Sequence, residues 1–111
     1  MQLAMIATAK QDMKEAERQY RRAVALDPAS AVARMDYAVF LARLNRPVEA
    51  LQQMLDCTAA NPDHAEAHYR LGLILLEVGQ QAPAVKALQK AVQLQPDHQA
   101  AQEMLRRVQQ H

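Results

Sequence analysis

The stretch Asn61–Gly72, NPDHAEAHYRLG, places Asp63, His64 and His68 close together, and QPDHQAA at Gln95–Ala101 repeats the Asp-His pair. Two imidazoles four residues apart share one helix face, and with a carboxylate they form a donor set that zinc accepts. The zinc-protease arrangement, however, sets Glu directly after its first His, where it serves as general base. Here Glu66 comes two residues after His64. A two-His surface pair binds metal weakly, so these residues are expected to be turn and cap residues of a repeated architecture, with no metal and no cofactor.

The remaining reactive side chains give no catalytic constellation either. Cys57 stands alone, in a slot where related segments carry Ala, and is expected to be a small buried filler with an inert thiol. Asp12, Glu15 and Glu17 lie among lysines and arginines, which predicts solvated pairs rather than a general acid and base. With two glycines in the chain there is no glycine-rich phosphate loop. Lys14, Arg18, Arg21 and Arg22 form the strongest basic run, but Glu15 and Glu17 interrupt it and no aromatic platform accompanies it. That pattern fits a solvated convex face better than a nucleic-acid site. The expectation is a protein without enzymatic activity.

Composition says which elements must position these residues. A chain of 111 residues holds one domain. Half its residues are hydrophobic but only 4% are aromatic, so the apolar mass is Ala, Leu, Val and Met, the composition of helices. A net charge of +1 gives no field to attract a polyanion or an anionic membrane surface. One cysteine forms no internal disulfide, and the opening MQLAMIATAK lacks the basic region and the long apolar run of a secretory signal. A cytoplasmic location, with no nucleic-acid partner and no membrane insertion, is the resulting expectation.

Pro28, Pro62 and Pro96 stand 34 residues apart, each after an amphipathic segment. Numbering the repeat so that these prolines fall at position 32 lines up Ala16, Ala50 and Ala84 at position 20 and Ala23, Cys57 and Ala91 at 27. Tyr20, Met54 and Leu88 fall at 24, Leu3, Tyr37 and Leu71 at 7, and Ala4, Ala38 and Gly72 at 8. These columns resemble the tetratricopeptide repeat, which pairs large and small residues at such positions. The resemblance covers nearly the whole chain and is strongest in the third copy. Departures occur at position 4, with Arg34 and His68 where the family often has Trp, and at position 11, with Ala7, Leu41 and Leu75 in place of Tyr. The resemblance implies an all-α fold, a right-handed superhelical solenoid of antiparallel helix pairs. It would comprise a truncated repeat 1 (1–30), repeat 2 (31–64), repeat 3 (65–98) and a capping helix (99–111).

Helical periodicity and breakers predict seven helices, roughly 1–10, 13–27, 31–44, 47–60, 65–78, 82–94 and 98–110. Ala16, Ala50 and Ala84 let paired helices approach closely. Asp12 with Glu15, and Asp63 with Glu66, read as capping boxes. Gly79 stops one helix, and Pro47 and Pro83 fit the first turn of the next. Ala101, Met104, Leu105 and Val108 give the last helix one apolar stripe, as a terminal cap requires.

If the pairs stack, the first helix of each lines a concave face, as the resemblance implies. The stripe opposite the packing residues then carries Met5 in the first copy, Met35, Asp36 and Val39 in the second, and Tyr69, Arg70, Leu73 and Leu76 in the third. So apolar a face marks a contact surface. The expected function is a protein-binding module holding an apolar or amphipathic peptide or helix against these eight residues. The alternative is self-association into a homo-oligomer through the first helix or the groove. Some members of the family clamp the acidic carboxyl end of a chaperone tail with Lys, Asn, Asn, Lys and Arg. The matching residues here are Met1, Met5, Asp36, Glu66 and Arg70, so only Arg70 agrees.

Overall fold

The structure is a computed structural model that describes the backbone of residues 2–110 and the side chains of residues 11–110. Its described residues form six helices and no strand: α1 (Gln2–Leu26), α2 (Ala31–Arg43), α3 (Pro47–Ala60), α4 (Ala65–Glu77), α5 (Gln81–Leu94) and α6 (Gln99–Gln109). Each helix packs chiefly on its chain neighbours, with a lesser contact between α2 and α4. The radius of gyration is 15.6 Å, against about 13 Å for a compact domain of this length. The molecule is an all-α solenoid, built from the pairs α2–α3 and α4–α5 with α1 and α6 at the ends.

Helix starts follow one rule. Ser30, His64 and His98 occupy equivalent positions, and each accepts a bond from the backbone N–H three residues on: Ala33 to Ser30 Oγ at 3.2 Å, Ala67 to His64 Nδ1 at 3.2 Å, Ala101 to His98 Nδ1 at 3.1 Å. The capping residue of α4 is therefore His64 rather than Asp63, because the imidazole nitrogen reaches an N–H that would otherwise be orphaned. α3 begins with Pro47 in its first turn.

A second device recurs at position 4. Arg34 Nε donates to the carbonyl of Pro28 at 2.6 Å, His68 Nε2 to that of Pro62 at 2.8 Å, and Gln102 Nε2 to that of Pro96. Three different polar side chains thus close the same proline turn, where the family's usual Trp would fill space instead.

Helices α2 and α4 end on left-handed residues, Asn45 at φ 60° and Gly79 at φ 80°. Arg46 N–H bonds to Leu41 O at 2.9 Å and Gln80 N–H to Leu75 O at 2.8 Å, the six-to-one bond of a Schellman turn. The equivalent residue in the first copy is Gln11. Gln disfavours that conformation, and no Gly or Pro stands nearby. The expected break between residues 10 and 13 is accordingly absent, α1 runs on for 25 residues, and Asp12 is a helix-interior residue rather than a cap.

The core is made of the columns read from the repeat. Ala50, Met54, Cys57, Ala84, Leu88 and Ala91 have no exposed surface. Gly72 shows why the small column is needed: a Cβ there would lie 2.8 Å from Leu88 Cγ and 3.4 Å from Ala84 O. Cys57 Sγ sits 3.8 Å from the carbonyl of Ala31, and burial pushes its thiol pKa up, which keeps it protonated.

Candidate functional site

α2 and α4 lie side by side with a hollow between them of about 320 Å³, floored by Ala38, Ala42, Met54 and Ile74. Met35, Val39 and Leu73 form its apolar walls, and Arg43, Arg70 and Glu77 its polar lip. A second hollow of about 350 Å³ continues it toward α1, between Tyr20, Asp36, Val39, Phe40, Arg43 and Arg70. Val39, Arg43 and Arg70 belong to both. The helices that present these side chains are held by the small columns, because Ala38 and Gly72 bring α3 and α5 close behind them.

Met35, Val39, Arg70 and Leu73 therefore meet in one groove, with Asp36 in its extension. Tyr69 turns away from it: its ring lies 4.8 Å from that of His98, tilted by 46°. Leu76 lines a separate hollow with Gln81, Arg107 and Val108, between α4 and the capping helix. The side chain of Met5 lies outside the described residues. Of the further lining residues, Ala38, Met54 and Tyr20 fall in the packing columns of the repeat, and Ile74 and Phe40 fall in neither stripe named from the sequence. The signal that could have found them is size: Ala38 and Ala42 are too short to fill the space between their flanking walls.

Electrostatics divide the groove unevenly. Arg70 Nε donates to Glu66 at 3.1 Å and its guanidinium carbon stands 6.0 Å from the Tyr69 ring centroid. Glu66 also accepts from His98 Nε2 at 2.7 Å, and the ion pair of Arg70 is this one along α4 rather than one across to Asp36. Asp36 and Arg43 form no ion pair among the described residues.

The strongest charged cluster lies outside the groove. Arg46 donates twice to Glu17, at 2.8 and 2.9 Å, and Tyr37 donates its hydroxyl to the same carboxylate at 2.9 Å. These bonds outweigh the cost of desolvation and hold the Glu17 pKa down at about 2. Glu17 is thus not the solvated pair expected of it; it clamps α1 to the turn before α3. Arg21 Nε in turn donates to Tyr37 Oη at 3.1 Å, and the Tyr20 ring is stacked on Tyr37 and tilted against Phe40, with ring centroids 6.0 and 4.9 Å apart. Glu15 does form a solvated pair, with Arg18.

The histidines that suggested metal have other work. His64 Nδ1 caps α4 and His68 Nε2 holds the Pro62 carbonyl. Among the described residues no three His, Cys, Asp or Glu side chains converge as metal ligands, and no helix is long and apolar enough to cross a membrane.

Two profiles described as tetratricopeptide repeat match the sequence, one over residues 65–98 and the other over residues 7–56. The chain is 34% identical over 71 residues to the TPR repeat-containing thioredoxin TTL4 of Arabidopsis thaliana, covering 64% of this chain and 10% of that protein. It is 26% identical over 90 residues to the protein O-mannosyl-transferase TMTC3 of Homo sapiens, covering 80% of this chain and again 10% of the relative. The chain spans about a tenth of the length of these curated relatives. Among solved structures, YrrB, described as a TPR protein with an unusual peptide-binding site, superposes with a TM-score of 0.75 at 30% identity, over 92% of this chain and 53% of that one. The first TPR of Spaghetti (RPAP3) bound to the HSP90 peptide SRMEEVD superposes at 0.81 with 22% identity, over 93% and 82%. The 34-residue columns, the stacked pairs they bury and the two matching profiles have one common explanation: the chain belongs to the tetratricopeptide repeat family.

Proposed function

We propose that the groove between α2 and α4 binds an apolar or amphipathic segment of a partner protein. The carrying observation is the groove itself: an apolar floor and walls open to solvent, with Arg43 and Arg70 on one lip and Asp36 and Glu77 beside them. Such a surface contributes affinity through burial and fixes orientation through its charged margin. The tetratricopeptide fold is a protein-interaction scaffold, and both YrrB and the RPAP3 domain are described with peptide sites, which supports the reading. Nothing in the groove supplies a nucleophile with its base, so the role is capture rather than catalysis.

The ligand class is narrowed by charge. An acidic, carboxylate-ended tail such as SRMEEVD would meet Asp36 and Glu66, while the one matching cation, Arg70, is already engaged by Glu66. A segment with apolar residues at helical spacing is the better occupant, held at micromolar affinity, about 8 kcal/mol.

Selection of a displayed peptide library against the chain tests this. Enriched peptides should carry apolar residues three and four apart. The variant combining Met35→Asp with Leu73→Asp should lose them while keeping its helical circular dichroism. Peptides that bind the double variant equally well would refute the groove as their site.

A further inference from the structure

Along α1, α4 and α6 charged side chains find their opposites three or four residues away: Glu15 with Arg18, Glu17 with Arg21, Glu66 with Arg70, Glu103 with Arg107. Helix α2 departs from this. Three and four residues from Asp36 stand Val32, Ala33, Val39 and Phe40, and from Arg43 stand Val39, Phe40, Arg46 and Pro47. Both charges are exposed, and neither enters an ion pair among the described residues.

Their placement is nevertheless ordered. Seven residues make nearly two full turns, so both project from one side of α2, about 10.5 Å apart along its axis. That side is the groove wall. Both line the hollow toward α1 together with Val39, and Val39 and Arg43 line the hollow toward α4 as well. The third charge common to the two hollows, Arg70, is already bound by Glu66, which His98 holds in turn from the start of α6. The α2 wall therefore offers a guest one free acid and one free base with an apolar side chain between them.

Building on the groove as the binding site, we propose that the bound segment carries a basic and an acidic side chain two helical turns apart on one flank, the base seated on Asp36 and the acid on Arg43. Charge complementarity selects this occupant. A segment acidic at both places would set one carboxylate on Asp36, and a segment basic at both would set one cation on Arg43, so each trades an attraction for a repulsion. An amphipathic helix supplies the spacing without strain, since it repeats the rise and turn of α2 while its apolar stripe faces Met35, Val39 and Leu73. Glu77 belongs to the α4 wall and meets the guest's other flank. Because the two α2 charges differ in sign, they also fix which end of the segment lies at which end of α2.

Fluorescence anisotropy with three synthetic helical peptides tests this. All share one stripe of leucines three and four apart; the flank carries Lys and Glu seven residues apart, Glu at both places, or Lys at both. The mixed peptide should bind the wild-type chain about fivefold tighter than either of the others at low ionic strength. Its lead should shrink at about 1 M salt, where such contacts are screened. Asp36→Lys should pass the preference to the two-Glu peptide and Arg43→Glu to the two-Lys peptide, with helical circular dichroism unchanged because both side chains are exposed. Three peptides bound equally, yet lost together on combining Met35→Asp with Leu73→Asp, would overturn the charge pattern and leave the groove standing as the site. Charge reversals that leave the ranking unmoved would do the same. Failure of all three peptides to bind would overturn the groove and the pattern with it.

Discussion

The first and third copies of the repeat carry the same columns and bury them to different depths. Ala84 and Leu88 are fully enclosed between α4, α5 and α6, whereas Ala16 and Tyr20, at the same repeat positions, are half-buried, and Ala23 is exposed where Ala91 is not. The side chains are alike; their neighbours are not. In a solenoid each unit contacts only those beside it, so a column is stable where a helix folds back upon it and idle where none does. The difference between the copies comes down to Gly79, which turns the chain, and Gln11, which does not.

Truncating the bulky column should break the equivalence most visibly. Leu88→Ala removes a fully buried side chain and should cost about 2–5 kcal/mol in denaturant unfolding. Tyr20→Ala should cost clearly less, since that ring is only partly buried; equal losses would mean that the first copy is packed like the third. Filling the small column sharpens the contrast. Ala84→Leu forces a bulky group between closely packed helices and should cost about 1–3 kcal/mol. Ala16→Leu should stay within about 0.5 kcal/mol.

The caps test the two copies' shared punctuation. His64→Ala and His98→Ala should each lower stability by about 1 kcal/mol, through the loss of an acceptor for a helix N–H. Asp63→Ala and Asp97→Ala, one residue earlier, should be close to neutral, and thermal melts separate the two cases. A further effect concerns the clamp that ties α1 to the rest. Glu17 has its folded pKa depressed from 4.5 to about 2, so its contribution is fully present above pH 4.5 and disappears as the pH falls toward 2. Glu17→Gln should flatten that part of the melting-temperature profile and cost up to about 1 kcal/mol at neutral pH.

Much of the fold was legible because it rests on local rules. Pro28, Pro62 and Pro96 marked the period, and the Ala and Leu columns marked which faces pack, since helix spacing maps directly onto one side of a cylinder. The seventh helix was not legible in the same way. Its expected start at Asp12 rested on a capping pattern, and that pattern is outweighed when the residue at the turn position, Gln11, disfavours a left-handed backbone. Groove residues divided similarly. Met35, Val39, Arg70 and Leu73 follow from facing away from the packing stripe, but Tyr69 follows His98, a residue 29 positions on, and Leu76 follows α6.

The sequence alone determined that this chain is helical, that it repeats every 34 residues and that the Asp-His pairs mark helix starts. Each of these depends on propensities and spacings within about one turn or one repeat. Only the tertiary structure decided that α1 is continuous, that Glu17 joins Arg46 from 29 residues away, and that Ala38 and Ala42 leave a hollow rather than a packed seam. Those outcomes depend on which helix lies across from a given face. That neighbour is chosen by the turns and contacts of the folded chain, not by the face itself.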